Sequence, residues 1–185
     1  MKRILATLLI FAGGISLTSM RLIGEKPVME DGAVRWMTFE QAVEKYQKEK
    51  LPIFVDVYTD WCGWCKVMDK ETFSDPKVAQ VLNEKFYPVK FNAEQKEDVV
   101  FKGHTFKFVP SGRNGYHQLA ASLLQNQLSY PTVVFVDVEL NMAHPLPGYR
   151  KAPEFHMYAQ YYGDQYYKKG KEAQAEFQKN YKSPY

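Results

Sequence analysis

The chain has 185 residues, of which 24 are basic and 21 acidic, so its formal net charge is +3. Such a small excess gives no reason to expect nucleic-acid binding. A chain of this length is one domain, and 45% hydrophobic with 24% charged residues is the usual composition of a globular protein that buries a core.

The first residues have the pattern of a secretory signal. A short basic start, Met1-Lys2-Arg3, precedes an apolar run over residues 4–17, which is the order of regions in signal peptides. That run is short for a membrane span, although an uncleaved anchor is the alternative. We therefore expect a signal peptide over residues 1–20 without a clear cleavage site, no stable membrane span after processing, and a periplasmic or secreted protein in an oxidising compartment.

Residues 21–37 form a polar lead-in that we expect to be a loosely held arm. An amphipathic helix is predicted over residues 38–49, because Thr38 is a suitable N-cap and Gln41 three residues later completes a capping box. The run that follows, residues 52–58, is apolar, β-branched and aromatic with one acid inside it, which predicts a buried strand.

Both cysteines lie in residues 61–66, Trp-Cys-Gly-Trp-Cys-Lys, between that strand and a helix predicted over residues 67–73. The strand delivers a Cys-x-x-Cys pair to the first turn of the helix, where free N–H groups and the helix dipole stabilise a thiolate. We expect Cys62, at the helix entrance, to be the attacking sulfur. Cys65, one turn further in, is expected to be better shielded and to resolve the mixed disulfide that Cys62 forms with a substrate.

Three functions are open to such a cysteine pair. A purely structural disulfide would close a very short loop and remove little unfolded-state entropy. A zinc site needs four ligands, and the chain has no second cysteine pair to complete one. A redox pair beside a strand fits the pattern best, while the other two functions stay as alternatives.

The remaining elements are a mixture of helices and strands. Ser-Asp-Pro at residues 74–76 predicts a new helix start, and residues 93–111 give only weak signals. The other predictions are a strand over residues 86–92, a helix over 116–124, a buried strand over 131–138, a short or edge strand over 145–149, a helix over 152–167 and a frayed polar tail over 169–185. This order predicts an α/β sandwich with a mixed central sheet.

Four motifs stand in an order that resembles the thioredoxin superfamily. They are residues 55–66, 89–92, 130–135 and 148–149, with the sequences VDVYTDWCGWCK, VKFN, YPTVVF and GY. The chain is similar to secreted thioredoxin-like proteins and to the C-terminal periplasmic domain of transmembrane thiol-disulfide reductases. The resemblance implies a thioredoxin-like α/β fold over residues 38–168, in which helices flank a central mixed sheet. It also marks an insert at about residues 96–115, before the cis-proline strand.

The resemblance implies roles for an acid and a lysine. Asp56 stands six positions before Cys62, where thioredoxins carry a buried acid. A carboxylate in a strand under the active site is desolvated, so its pKa rises, and it becomes able to accept a proton from Cys65. A hydrogen-bonded core acid without a catalytic part is the alternative. Lys90 matches the lysine that lies near that acid in the family.

Four more residues are expected to form the substrate-binding surface. Pro131 matches the family's cis-proline, although an X-Pro bond is usually trans. The backbone of Tyr130 before it would pair with an extended substrate segment. Trp61 is expected to pack beneath the site. Trp64 stands between the cysteines, where many thioredoxins have proline, and residues at this position tune the redox potential.

The insert contains several aromatic residues, among them Phe101, Phe106 and Phe108. It is expected either to cap the active site or dock a partner, or to be a surface elaboration that buries its own aromatics. The second interpretation is favoured.

We therefore expect a thiol-disulfide oxidoreductase of the cell envelope that reduces protein disulfides through Cys62 and Cys65, with no cofactor and no metal. Its partners would be protein disulfide or dithiol substrates and a membrane or soluble thiol electron donor. An oxidase would run the same steps backwards. The rival hypothesis is a non-enzymatic module in which the cysteine pair holds a metal such as Cu(I) for delivery.

Overall fold

The computed structural model describes residues 32–112, 114–170 and 172–185. The predicted signal peptide at residues 1–20 and the predicted arm as far as residue 31 lie outside these ranges. Across the part of the chain that is described, no helix is both long enough and apolar enough to cross a membrane.

The described residues form six α-helices, eight strands and two short helical turns. The first half contains α1 (Phe39–Lys48), β1 (Ile53–Tyr58), α2 (Gly63–Met68), a π-helical turn (Asp69–Phe73), α3 (Pro76–Lys85) and β2 (Tyr87–Asn92). The second half contains β3 (Val99–Phe101), β4 (His104–Phe106), β5 (Phe108–Val109), β6 (Tyr116–His117), α4 (Gln118–Leu123), β7 (Thr132–Val136), β8 (Ala143–Pro147), α5 (Ala152–Gly163), a 3-10 turn (Tyr166–Lys169) and α6 (Glu172–Asn180).

The central sheet has four strands in the order β2-β1-β7-β8. β1 runs parallel to β2 and antiparallel to β7, and β8 runs antiparallel to β7, so the predicted mixed sheet is confirmed. Every residue of β7 is buried, and β1 is buried as far as Val57. Burial on both faces explains why these two strands are continuous apolar runs rather than alternating ones.

The two faces of the sheet carry two apolar cores. Successive residues of a strand point to opposite faces, and Ile53, Val55 and Val57 enter the core that also contains residues of α1 and α4. Phe54 points the other way, into the core formed with α2, α3 and α5. Asp56 follows Phe54 by two positions and therefore faces the side of the sheet on which α2 lies.

Side chains at the helix starts determine two of the helix boundaries. The Thr38 side chain accepts the N–H of Gln41 at 3.3 Å, and the Gln41 side chain accepts the N–H of Thr38 at 3.0 Å, which confirms the capping box. α4 begins later than predicted, because the residues before it join β6 and the ring of His117 accepts the N–H of Leu119 at 3.1 Å.

The last residues of the N-terminal arm are bound to the domain, so the expectation of a loosely held arm is wrong there. Met37 forms a parallel bridge with Val89 of β2. The Trp36 ring packs edge to face on Phe73, with ring centroids 5.2 Å apart. The arm therefore covers an edge strand that would otherwise expose unpaired backbone groups.

The insert consists of two small hairpins. β3 pairs with β4, and β5 pairs with β6. Phe101 meets Phe39 of α1 edge to face, with ring centroids 5.1 Å apart. Phe101 and Phe106 both pack against the core beneath α1 and α4, so these aromatics extend the core of the domain rather than form a cluster of their own.

The C-terminal segment contains a docked helix, so the prediction of a frayed tail over residues 169–185 is wrong. α5 ends at Gly163, short of its predicted end, and Gln165 just after it adopts a left-handed backbone conformation with φ 57°. The chain turns there, and α6 packs back with Ala173 and Phe177 buried. The apolar contacts that dock α6 come mostly from tyrosines of the preceding helix and turn.

We predict that Phe177→Ala lowers the free energy of unfolding by about 3 kcal/mol, because a buried ring is replaced by a cavity. The ring centroid of Phe177 lies 5.4 Å from that of Tyr161 and 4.7 Å from that of Tyr166. Urea unfolding followed by circular dichroism measures the change. The matched control is Glu176→Ala, an exposed position of the same helix, and equal midpoints for the two variants would contradict the docking of α6.

Candidate active site

The two cysteines form a disulfide at the start of α2, with their Cα atoms 5.3 Å apart. Cys62 is the N-cap residue, and its Sγ accepts the N–H of Cys65 at 3.1 Å. The Cys62 N–H donates to the carbonyl of Thr59 at 3.1 Å, which anchors the loop that follows β1. A sulfur in the cap position receives the free N–H groups of the helix, and the reduced form would carry its thiolate there.

The expectation that Cys65 is better shielded than Cys62 is wrong, because both residues are 4% exposed. What separates the two sulfurs is their place on the helix. Cys62 stands outside the first turn and caps it, whereas Cys65 stands within it. The helix-terminus field therefore favours a thiolate on Cys62, and this asymmetry supports the predicted order of attack.

Asp56 is a buried acid on the side of the sheet where α2 lies, with only 2% of its surface exposed. Burial raises the pKa of its carboxyl, Lys90 lowers it and the charge of Asp69 raises it again, which together place the pKa at about 6. A carboxyl with this pKa changes protonation state just below neutral pH. Burial and the raised pKa are the properties that a proton acceptor for Cys65 would need, and that role of Asp56 stays a prediction.

Lys90 lies between two carboxylates. Its Nζ is 3.2 Å from Oδ2 of Asp56 and also bonds Oδ1 of Asp69. Burial alone would lower the pKa of Lys90, but the charges and hydrogen bonds of the two acids raise it overall. The ammonium also lies over the rings of Trp36 and Tyr58, at 5.1 and 5.3 Å from their centroids. The structure thus brings Lys90 to Asp56, as the resemblance implies.

Asp69 belongs to this cluster, and the sequence analysis missed it. It begins the π-helical turn at the end of α2. The available signal was an acid four residues after Cys65, one helical turn further on and therefore on the same face of the helix. Without the position of Lys90, that spacing could not be told from an ordinary exposed acid.

Trp61 lies at the surface, so the expectation that it packs beneath the site is wrong. It is 60% exposed, and Trp64 is 62% exposed. The Trp61 Nε1–H donates to Oε1 of Glu94 at 2.9 Å, and its ring meets that of Tyr130 edge to face at 5.9 Å. Both tryptophans are therefore available to contact a molecule that approaches the disulfide.

The Tyr130–Pro131 peptide bond is cis. Burial raises the pKa of Tyr130 to about 12, helped by the charge of Glu94, so its hydroxyl stays protonated. The carbonyl of Pro131 accepts the N–H of Gly148 at 2.8 Å, which joins the residues before β7 to the residues after β8. The chain segments around these residues lie at the end of the sheet that also carries the cysteines.

A second aromatic pair, which the sequence analysis did not single out, involves the residue after Gly148. The rings of Trp64 and Tyr149 lie 5.5 Å apart. The Tyr149 hydroxyl donates to Oε2 of Glu71 at 2.8 Å. A tyrosine two residues beyond a strand gives no local signal of this contact, although the Gly-Tyr motif had marked the position.

Within residues 32–112, 114–170 and 172–185, no group of three or more His, Cys, Asp or Glu side chains is arranged to hold a metal ion. The four histidines of the chain are separated in sequence.

Comparison with solved structures identifies the fold. The alignment with a thioredoxin from Thermus thermophilus covers 69% of this chain and 85% of the thioredoxin, with 20% identity and a TM-score of 0.50. The alignment with a structure described as DsbH oxidoreductase covers 76% of this chain and 93% of that protein, with 16% identity and a TM-score of 0.50. The protein has a thioredoxin-like fold, as predicted.

Comparison of sequences identifies the family. Residues 27–142, more than half of the chain, match the family Thioredox_DsbH, described as a protein of unknown function, DUF255. The chain belongs to this family.

Curated relatives match about half of the chain. Spermatogenesis-associated protein 20 of Rattus norvegicus is 35% identical over 104 residues, which are 54% of this chain and 13% of that protein. The thiol:disulfide interchange protein DsbD of Citrobacter koseri is 32% identical over 89 residues, 48% of this chain and 12% of that protein. The matched segment is thus a small part of these much longer relatives.

We predict that the oxidised protein loses stability as the pH rises from 4 to 7, relative to Asp56→Asn. The pKa of Asp56 is raised in the fold, so the folded state binds a proton that the unfolded state releases between pH 4 and 6. Because proton binding is linked to folding, the free energy of unfolding of the wild-type protein should fall by about 3 kcal/mol more than that of Asp56→Asn over this range. Urea unfolding of both proteins at several pH values measures it.

Asp69→Asn serves as a second variant in the same titration. Removing the Asp69 charge lowers the pKa of Asp56, because that charge raises it, so the pH-dependent loss should become smaller. If the free energy of unfolding of the wild-type protein changed with pH in the same way as that of Asp56→Asn across the whole range, the raised pKa of Asp56 would be contradicted.

Proposed function

We propose that this protein is a thiol-disulfide oxidoreductase of the cell envelope that reduces protein disulfides with the Cys62–Cys65 dithiol. The observation that carries the proposal is a disulfide that caps the start of α2, on the side of the sheet that also holds the buried acid Asp56. The names of two similar proteins, a thiol:disulfide interchange protein and a DsbH oxidoreductase, support the reaction class.

The reaction begins with the reduced protein. The Cys62 thiolate attacks one sulfur of a substrate disulfide, forms a mixed disulfide, and releases the other substrate sulfur as a thiolate. Cys65 then loses its proton and attacks Sγ of Cys62, which releases the second substrate thiolate. Two electrons pass from the protein dithiol to the substrate, and the protein is left with its intramolecular disulfide.

Asp56 is proposed as the base for the second step. Its pKa of about 6 leaves the carboxylate mostly ionised at neutral pH, where it can take the proton of Cys65. Lys90 stabilises the ionised carboxylate, and its bond to Asp69 keeps the ammonium in place. These roles are supported by burial and distance, with the Lys90 Nζ 3.2 Å from Asp56.

Substrate binding is assigned to the residues around the disulfide. Trp61 and Trp64 present exposed rings, and Tyr130 and Pro131 present the backbone just before β7. An extended substrate segment would pair with the backbone of Tyr130 as a short added strand.

The protein would act as a reductase, and a membrane or soluble thiol donor would reduce its Cys62–Cys65 disulfide again after each turnover. The arrangement of Asp56 with Lys90 supports this direction, because an acid and a lysine placed together in this way are thioredoxin-like. A periplasmic or secreted location is supported by the signal-like pattern of residues 1–20.

We predict that Asp56→Asn slows insulin disulfide reduction at pH 7 by at least about tenfold, because the resolving thiol loses its base. Dithiothreitol reduces the Cys62–Cys65 disulfide after each turnover, and the rate is measured from the turbidity of the reduced insulin. Asp60→Asn, which neutralises an exposed acid four positions further on, is the matched control and should keep the wild-type rate.

Equal rates for the two variants would remove Asp56 from the mechanism. A wild-type protein that reduces no disulfide but retains stoichiometric Cu(I) after purification under reducing conditions would instead support the metal-delivery hypothesis.

A further inference from the structure

Two aromatic pairs flank the disulfide. Each tryptophan immediately precedes a cysteine, and each packs on a tyrosine: Trp61 on Tyr130 with ring centroids 5.9 Å apart, and Trp64 on Tyr149 at 5.5 Å. The two tyrosines lie at the same end of neighbouring strands, because Thr132 of β7 pairs with Pro147 of β8. The four rings therefore form two pairs at the end of the sheet that carries the reactive sulfurs.

These tryptophans expose large apolar rings to water. Among the described residues, Trp61 at 60% and Trp64 at 62% exceed the exposure of every other large hydrophobic side chain. In contrast, the ring of Trp36 packs against Phe54 and Phe73 in the core. Exposed aromatic surface of this kind marks contact sites, where tryptophan and tyrosine contribute most of the binding free energy.

In each pair, one of the two aromatic side chains donates a hydrogen bond to a carboxylate. Glu94 accepts the indole N–H of Trp61, and Glu71 accepts the hydroxyl of Tyr149 at 2.8 Å. The bond to Glu71 also raises the pKa of the Tyr149 hydroxyl. Side chains fixed in advance lose less conformational entropy when a partner binds, so these bonds prepare the rings for contact.

We propose that the Trp64–Tyr149 pair is a specificity site that binds an aromatic or large aliphatic side chain next to the cysteine of a protein substrate. The occupant is an extended cysteine-bearing segment, because the disulfide at the centre of the surface reacts only with a partner sulfur. When that sulfur bonds Cys62, the side chain beside the substrate cysteine falls on the rings. Glu71 acts as a positioning residue through Tyr149. The inference deepens the proposed function and rests on it.

The kinetic test compares two peptides, each a glutathione mixed disulfide, that differ only in carrying Phe or Asp beside the cysteine. Wild-type protein should have a kcat/KM about tenfold higher for the Phe peptide, the amount that one aromatic contact provides. Tyr149→Ala and Trp64→Ala should reduce this ratio to near one, whereas Tyr149→Phe, which keeps the ring, should preserve most of it.

Two further variants separate positioning from general damage. Glu71→Gln should weaken the preference through KM for the Phe peptide rather than through kcat. Met142→Ala removes an exposed apolar side chain at the opposite end of the sheet, just before β8, and should leave the ratio unchanged. A ratio near one in wild-type protein, or an unchanged ratio in Tyr149→Ala, would overturn the proposal.

A binding measurement separates this inference from the proposed function. Peptides in which Ser replaces Cys are titrated into the oxidised protein while the indole N–H signal of Trp64 is followed by NMR. Tighter binding of the Phe peptide, lost in Tyr149→Ala, supports the site even if no disulfide is turned over. Turnover of glutathione disulfide without any peptide preference would overturn the site and keep the proposed reaction.

Discussion

Lys90 connects β1, β2 and the end of α2, the helix that begins at the cysteines. Its ammonium lies between Asp56, in the middle of the central strand β1, and Asp69, at the end of α2. A buried carboxylate is costly unless it is paired, so an apolar strand accommodates Asp56 as an anion only while Lys90 reaches it. The same cation links β2 to α2 and thereby fixes the helix that carries Cys62 against the sheet. Burial raises the pKa of Asp56 to about 6 against the effect of Lys90, and the charge of Asp69 contributes to the rise.

The π-helical turn after α2 directs two neighbouring acids to different parts of the site. Asp69 bonds Lys90 in the ion cluster, whereas Glu71, two residues later, bonds Tyr149 in the aromatic surface. π-helical turns are rare and occur frequently at functional sites. One short segment thus connects the acid–base centre, the aromatic surface and the helix that presents the disulfide.

Local signals predicted most of the fold, and contacts between distant segments account for what was missed. The capping box of Thr38 and Gln41, the apolar run of β1 and the start of α2 each depend on a few adjacent residues. Asp69 and Tyr149 acquire their roles only through partners elsewhere in the chain, and the docking of α6 depends on tyrosines of α5. Trp61 was misplaced because an aromatic residue beside a cysteine suits a buried and an exposed position equally well.

The Cys62–Cys65 pair is proposed to be a reductant, and a measurement of its reduction potential tests this proposal. Equilibration of the protein with glutathione buffers, with the thiols then alkylated and counted, gives the value. A reductant should have a potential near that of thioredoxin, about −270 mV. A potential near that of the strong disulfide donors, about −120 mV, would contradict it.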